Sequence, residues 1–539
     1  MRRTISRDGL AVGGLVVALG IPLVVALVVL HDPHWIALHD LAQVEMRVRD
    51  VSDGHPPQLG LGGRIQGYGQ TGSHPGPVSF YVLWPVYELL GASGWALQAA
   101  AGFLSAVAAG LSVWIAHRRG GTALALAATA VLAVLLRGYG AEVLTSAWNP
   151  HMPLVWWWVF LLAVWSVLCG DLVVLPVMVF AGVLCAETHI PYVLPVVGLG
   201  LLTVGVLGAR ARRDPEGRRP LAVWGGAAVG LLALLVAPPL VEEVTHDPGN
   251  LSIIVQNFRH PYAERVSKGQ ALDVWLEHLD VVALLRQDTN DPTSSFDPSL
   301  DLGARLPGLV LLAAWGGAVV LARRRRDRDL LRLHLVVAVA EATTLLAISR
   351  IFGPVWPYLV LSAWGTTALM VLATVWTARS WVAGGDRAVA GNPISERWLW
   401  PTVAAVALAA FAVDSAYTEN FDADEATAVE GLSSATAARL DQDRVYLLVI
   451  DDSVHIVSPA FGFLLELEKR GYDVRAEELH VAAVRSHRVA APEDADAVLE
   501  FVVGADPVTQ WRARPDAELL AEVDPPSEEE PPIAVFLVL

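Results

Sequence analysis

Cysteine, lysine and charge are all scarce in this chain, and each shortage removes a class of protein. Two cysteines in 539 residues, Cys169 and Cys185, exclude a disulfide scaffold and any cysteine-rich zinc or iron–sulfur site. Both fall in or beside apolar runs and read as small core residues. Lys268 and Lys469 are the only lysines, which leaves 36 of the 38 basic residues as arginine. That bias fits a GC-rich bacterial genome better than a nucleic-acid partner, and no basic patch with interleaved aromatics marks such a partner. Charged residues are 17% of the chain, well under the ~25% of soluble domains. Also missing are an internal repeat, a phosphate-binding glycine loop and a helical His-Glu-x-x-His zinc motif.

What is abundant is apolar. A hydrophobic content of 54% and a mean hydropathy of +0.47 describe a membrane protein rather than three or four soluble domains. The formal charge of −17 is local: from Asp414 onward 27 acids face 9 bases, so residues 1–413, with 28 acids and 29 bases, are close to neutral.

Arg2, Arg3 and Arg7 precede an apolar run from Leu10 to Leu30, close to the ~20 residues a helix needs to cross a bilayer. The run is longer than a signal-peptide core and no Ala-x-Ala-like site follows it, so it reads as a retained anchor. Ten further apolar runs lie at 95–116, 121–137, 152–168, 172–187, 192–209, 221–240, 307–322, 333–349, 356–377 and 398–413. Eleven spans are therefore expected. With the N-terminus in the cytoplasm, every even-numbered span should end near arginine, because positive charge stays inside. Four of five do so, at Arg118 and Arg119, at Arg210 to Arg219, at Arg323 to Arg328, and at Arg379 to Arg397. The turn Cys169-Gly170-Asp171 is the exception. An odd count places the C-terminus outside, in a plasma membrane, together with segments 31–94, 138–151, 188–191, 241–306 and 350–355, which hold most of the polar chemistry.

The expected fold class is thus a polytopic α-helical membrane module, residues 1–413, followed by a small extracytoplasmic domain, residues 414–539. In that tail Tyr446 to Ile450, Val498 to Val503 and Ile533 to Leu539 read as strands, and Pro459 to Arg470 reads as a helix ended by Gly471. An α/β domain follows, long enough to fold alone, whose last apolar strand needs burial in the sheet.

In the first outward segment, Leu41, Val44, Val48 and Val51 recur at helical spacing with Gln43, Arg47 and Asp50 opposite, predicting a short amphipathic helix at the membrane surface. Asp40 reads as its N-cap, with Gln43 in the reciprocal position, or as a carboxylate held over the bilayer edge to act as a base; the two roles are compatible. Next comes His74-Pro75-Gly76-Pro77, leading an aromatic segment that ends at Gly91. Its prolines and the arginine parity make it a second interfacial helix, with Tyr81, Trp84 and Tyr87 at headgroup level. His74 is either a cap for this helix or a functional group. Asn250-Leu251-Ser252 matches a glycosylation sequon by chance.

One amino-terminal span, an outward acidic helix beginning at Asp40, and His74-Pro75-Gly76-Pro77 before an aromatic interfacial helix together resemble the GT-C class of membrane glycosyltransferases. The branch it looks most like is that of protein O-mannosyltransferases and aminoarabinose transferases, which use polyprenyl- or dolichyl-phosphate sugars and typically carry His-Pro-Pro at this point. Gly76 displaces the second proline here, which implies a distinct, actinobacterial-type subfamily. The sharp match covers about residues 10–120. The resemblance implies an inverting transferase in which Asp40 is the catalytic base, with Asp50 and Glu45 in reserve. A sugar on phosphate already has a good leaving group, so one base suffices where glycosidases need two carboxylates. The implied partners are a polyprenyl-phosphate-sugar donor, a cell-envelope acceptor hydroxyl and the bilayer.

The leaving phosphate needs positive charge where water is scarce. Arg350 closes the ninth run on its outward side and suits phosphate oxygens, or simply snorkels at a helix end; Arg64, Arg137 and Arg259 are alternatives. His74 and His189 are further candidates for the phosphate, and Asn149, Glu187 and Tyr81 for the sugar or acceptor cavity. Glu187 with His189 offers either a divalent-cation site or hydrogen bonds between helix ends. Residues 241–306 have the mixed aromatic and polar composition of a lid. Glu341 lies mid-span and should face protein, with no catalytic role. Two other readings compete: a transporter or flippase of lipid-linked sugars, which would gather ionisable groups at the midplane, and a non-catalytic cell-wall assembly protein recruiting partners through the acidic tail.

Overall fold

A computed structural model describes residues 7–286, 302–383, 393–451, 458–523 and 531–538. Each of the eleven apolar runs falls on a helix. Among the described residues seven helices are long and apolar enough to cross a membrane by length and composition, including α1 (Arg7–Val29) and the 46-residue helix Gly94–Tyr139. The latter is two helices joined at Gly120–Gly121, where φ of +63° at Gly121 breaks the helical path. The second half runs back along the first, so that the Ser105 hydroxyl donates to the Leu144 carbonyl at 2.9 Å. The helix Leu154–Leu168 is shorter, and every one of its 15 residues is buried. A helix apolar on all sides belongs inside a bundle, and this one forms the centre.

The two ends of that central helix differ in chemistry. Beyond Leu168, Arg118 pairs with Asp171 at 2.7 Å, Arg119 pairs with Asp329 at 2.6 Å, and Arg210 donates to the Val167 and Leu168 carbonyls. The turn Cys169-Gly170-Asp171, which carries no arginine of its own, thus takes its cations from neighbouring loops. The other end, before Leu154, opens into a cavity.

Between the spans lie α2 (His39–Arg49), an antiparallel hairpin of β1 (Gly62–Gly67) and β2 (Gln70–Ser73), and α3 (Val78–Leu89). The hairpin was not expected from the sequence. Its turn is Tyr68-Gly69, with φ of +55° and +77°, a two-residue geometry usually signalled by Asn-Gly.

The tail contains five strands: β3 (Val445–Asp451), β4 (Asp473–Ala476), β5 (Ala497–Val503), β6 (Ala517–Val523) and β7 (Ile533–Val538). Their order is β4-β3-β5-β7-β6, parallel across the first three, with β7 antiparallel to both neighbours. Helices Ala423–Ala437 and Ala460–Lys469 cover one face, and Ala505–Arg512 covers the other.

The sheet does not stand apart from the membrane module. Trp35, Leu38, Ala42 and Met46 belong to the same buried cluster as Phe461, Phe463 and Phe501. A Cβ at Gly462 would lie 2.5 Å from Leu38 Cδ2, so only glycine permits this approach. The opposite stripe of α2, Val44 and Val48, enters the core of the helical bundle. The predicted surface helix is therefore buried on both sides. Its polar stripe meets protein rather than water: Glu45 pairs with Lys469 at 2.5 Å, and Asp50 pairs with Arg488 at 2.8 Å and with Arg485 and His487 at 3.2 Å. Tyr87, expected at headgroup level, is fully buried and donates to Glu45 at 2.8 Å.

Candidate active site

The cavity has a volume of about 1290 Å³ and draws its walls from segments far apart in sequence. Asp40 enters from the first turn of α2. Leu38 precedes that helix as its N-cap residue, so Asp40 is not the cap, and its carboxylate is turned elsewhere. It accepts from the Trp148 indole at 2.8 Å and from the Gln43 amide at 3.3 Å, and makes no ion pair among the described residues. Burial raises its pKa, while the Trp148 bond and the neighbouring His39 charge pull the other way. A carboxylate held by neutral donors and facing a cavity keeps its proton affinity, as a base requires.

Trp148 stacks obliquely on Tyr358 at 5.1 Å and edge-on against His151 at 4.8 Å. The Tyr358 hydroxyl in turn accepts from Arg64 of β1 at 2.6 Å. One guanidinium therefore stands an aromatic pair away from Asp40. Arg350 lines the same cavity, as does Asn149. Arg137 is engaged elsewhere, with Asp414 at 2.8 Å and the Leu285 carbonyl, and neither it nor Arg259 lines the cavity.

His74, Glu187 and His189 form a second corner. Burial lowers the His74 pKa to about 4 and the His189 pKa as well, so both rings are neutral near pH 7. Nδ1 of His74 accepts from the Ile190 amide at 3.3 Å, which leaves the proton on Nε2. Such rings supply hydrogen bonds to a phosphate but no charge; the charge must come from arginine. Glu187 is 5% exposed, and its carboxylate is faced by the Val78 backbone amide without any side-chain donor. A Cβ at Gly76 would fall 2.2 Å from Glu187 Oε2. The glycine that breaks the expected His-Pro-Pro pattern is thus the space in which this carboxylate sits.

Besides Arg137 and Arg259, three more sequence candidates lie outside the cavity lining. Glu45 and Asp50 are held in the joint with the tail, and the Tyr81 hydroxyl donates to the Pro57 carbonyl at 3.0 Å. Asp50 is held near pKa 2: burial opposes ionisation, but the His487 bond and the Arg488 charge outweigh it. Glu341 also lies away from the lining, bonded by the Trp275 indole at 2.8 Å.

The described part of 241–306 forms wall rather than free loop. Asn250 bonds both ways to Ser73, at 2.8 and 3.0 Å, which also removes it as an acceptor site for glycan. Leu251, Ile254, Phe258 and Tyr262 line the cavity, and Val266 donates to Ile351 at 2.9 Å along its rim. Residues 287–301 of this segment lie outside the described residues.

Among the described residues one trio gathers metal-ligating atoms within 4.8 Å of one another: His39, Asp422 and Glu425. Glu187 and His189, either a cation pair or hydrogen-bonding groups between helix ends in the sequence, belong to no such group among the described residues. His39, Trp148, Tyr358 and Asp422 line the cavity without having been site candidates in the sequence. Trp148 stood next to the singled-out Asn149, but nothing local ties Asp422 to His39.

No protein-family model matches the chain, and no curated protein matches it. Solved structures do. ArnT from Cupriavidus metallidurans, solved bound to undecaprenyl phosphate, aligns over 97% of this chain and 98% of its own with a TM-score of 0.56 and 15% identity. Its apo state gives 0.55 and 14% over the same coverage. The Archaeoglobus fulgidus oligosaccharyltransferase, in complex with Zn and sulfate, aligns over 90% of this chain and 67% of its own, at 0.45 and 11%. The ArnT-like fold covers 97% of the chain and agrees with the GT-C resemblance noted in the sequence.

Proposed function

We propose that this protein is an inverting glycosyltransferase that moves a sugar from a polyprenyl-phosphate donor to a hydroxyl of a cell-envelope acceptor. In this reading the chain crosses the membrane eleven times, and the cavity opens on the outer face. Asp40 takes the acceptor proton as the hydroxyl attacks the anomeric carbon. Arg64 and Arg350 hold the departing phosphate, and the neutral His74 and His189 donate hydrogen bonds to it. The apolar wall of Leu194, Val197, Ile254 and Leu346 accepts the first isoprene units.

The observation that carries this reading is the placement of Asp40. It is the carboxylate of α2 that faces the cavity, it has no cationic partner there, and two arginines share the lining. The undecaprenyl phosphate bound by ArnT, on the same fold, supplies the donor class. A transporter reading gains nothing from Glu341, which is bonded outside the cavity.

Purified protein in vesicles, given a polyprenyl-phosphate sugar and an envelope extract, should transfer label. Asp40→Asn should fold normally and lose at least the ~10²–10⁴-fold expected of a positioned base. Undiminished transfer would overturn the assignment. Arg350→Ala should weaken donor use with acceptor choice unchanged.

A further inference from the structure

The residue before Asp40 takes part in a cluster that the sugar-transfer scheme does not use. His39 Nε2 lies 2.9 Å from Glu425 Oε2 and 3.8 Å from Asp422 Oδ2, and the three ligand atoms fall within 4.8 Å of one another. Two of these residues, His39 and Asp422, line the cavity; Glu425 sits behind them on the helix that opens the tail domain. Both lining residues adopt left-handed backbone geometry, with φ of +49° and +48°, which is unusual outside glycine. Nearly four hundred residues separate them, so the cluster exists only when tail and catalytic loop are docked.

We infer that His39, Asp422 and Glu425 form a binding site for one divalent cation at the seam between catalytic loop and tail domain. Imidazole nitrogen and carboxylate oxygen are both ligand types that zinc accepts, and manganese accepts them too. Ligand atoms around a tetrahedral ion at ~2.0–2.2 Å stand roughly 3.4 Å apart, so the observed spacings need only small side-chain adjustment. Three protein ligands leave a position open, and because His39 and Asp422 face the cavity, that position is directed into it. The ion ties the segment that carries Asp40 to the tail domain. It also offers its open position to water or to an anionic oxygen within the cavity.

Full-length protein, stripped with chelator and dialysed, is titrated with Zn²⁺ and with Mn²⁺ while bound metal and the unfolding temperature are recorded. One equivalent should bind, and the unfolding temperature should rise with metal concentration, since a ligand of the folded state stabilises it by mass action. Glu425→Gln should weaken binding at least tenfold and flatten the thermal response. Asp422→Asn gives the same readout should Glu425→Gln not fold. Glu187→Gln should bind as the parent does. Absence of stoichiometric binding to the parent protein, equal binding by Glu425→Gln, or loss of binding in Glu187→Gln alone would each overturn the site. None of these outcomes depends on sugar transfer, so the metal site and the transferase reading can fail separately.

Discussion

The two ends of α2 carry aspartates with opposite fates. Asp40, at its start, is held by an indole and an amide, and burial raises its pKa. Asp50, just beyond its last turn, meets two arginines and a histidine and is held near pKa 2. Only the nine residues from Leu41 to Arg49 separate a carboxylate whose proton affinity is raised from one whose affinity is lowered. Identity does not distinguish them, and burial alone would predict the reverse, because Asp50 is fully buried and Asp40 only partly; the neighbours decide. A structural carboxylate is saturated with cations, whereas a base is left with neutral donors and an open side.

Removing the cation-saturated partner should have the largest effect on stability. Asp50→Asn strips charge from a buried network and should cost about 3–5 kcal/mol, because Arg485 loses its anion and Arg488 keeps only Glu468. Denaturant unfolding measures it, and residual folded enzyme should still transfer sugar. A smaller loss is expected at the other corner of the cavity. Gly76→Ala should cost ~1–3 kcal/mol through collision with the Glu187 carboxylate, and Glu187→Ala in the same chain should restore most of it. Additive losses in that pair would remove the account of Gly76.

Trp148→Phe keeps the aromatic contact with Tyr358 and deletes the bond to Asp40. The loss in turnover should be about tenfold, the value of one hydrogen bond to a charged group, ~1.5 kcal/mol. The pH response sharpens the contrast further. The folded pKa of Asp50 is depressed, so its contribution is present above the unfolded value near 3.8 and is lost as pH falls toward about 2. Acid titration of the parent should therefore loosen the tail in that window, and Asp50→Asn should show no such step.

The helical bundle was legible because eleven apolar runs are long and the arginines punctuate them; each run lies on a helix. The strand assignments in the tail also coincide with β3, β5 and β7, since β-branched runs between turn residues leave little choice. The environment of α2 was not legible. Its pattern of Val44 and Val48 against Arg47 and Asp50 suits a surface helix equally well, and the partners that bury the polar stripe lie more than four hundred residues later. The hairpin that brings Arg64 to Tyr358 was hidden for a different reason: its strands are glycine-rich and its turn pairs Tyr68 with Gly69. Asp40 is singled out by the resemblance, as the aspartate of the first outward segment. The indole that orients it comes from the 145–153 turn, which no spacing rule connects to α2.

The most direct test is a structure of the protein with a non-hydrolysable polyprenyl-phosphate sugar bound. The anomeric carbon should lie within reach of an acceptor oxygen hydrogen-bonded to Asp40, with the phosphate against Arg64 or Arg350 and the isoprenoid along Leu194 and Val197. A sugar seated away from Asp40, or a phosphate at the arginine-rich end near Arg118 and Arg210, would contradict the account.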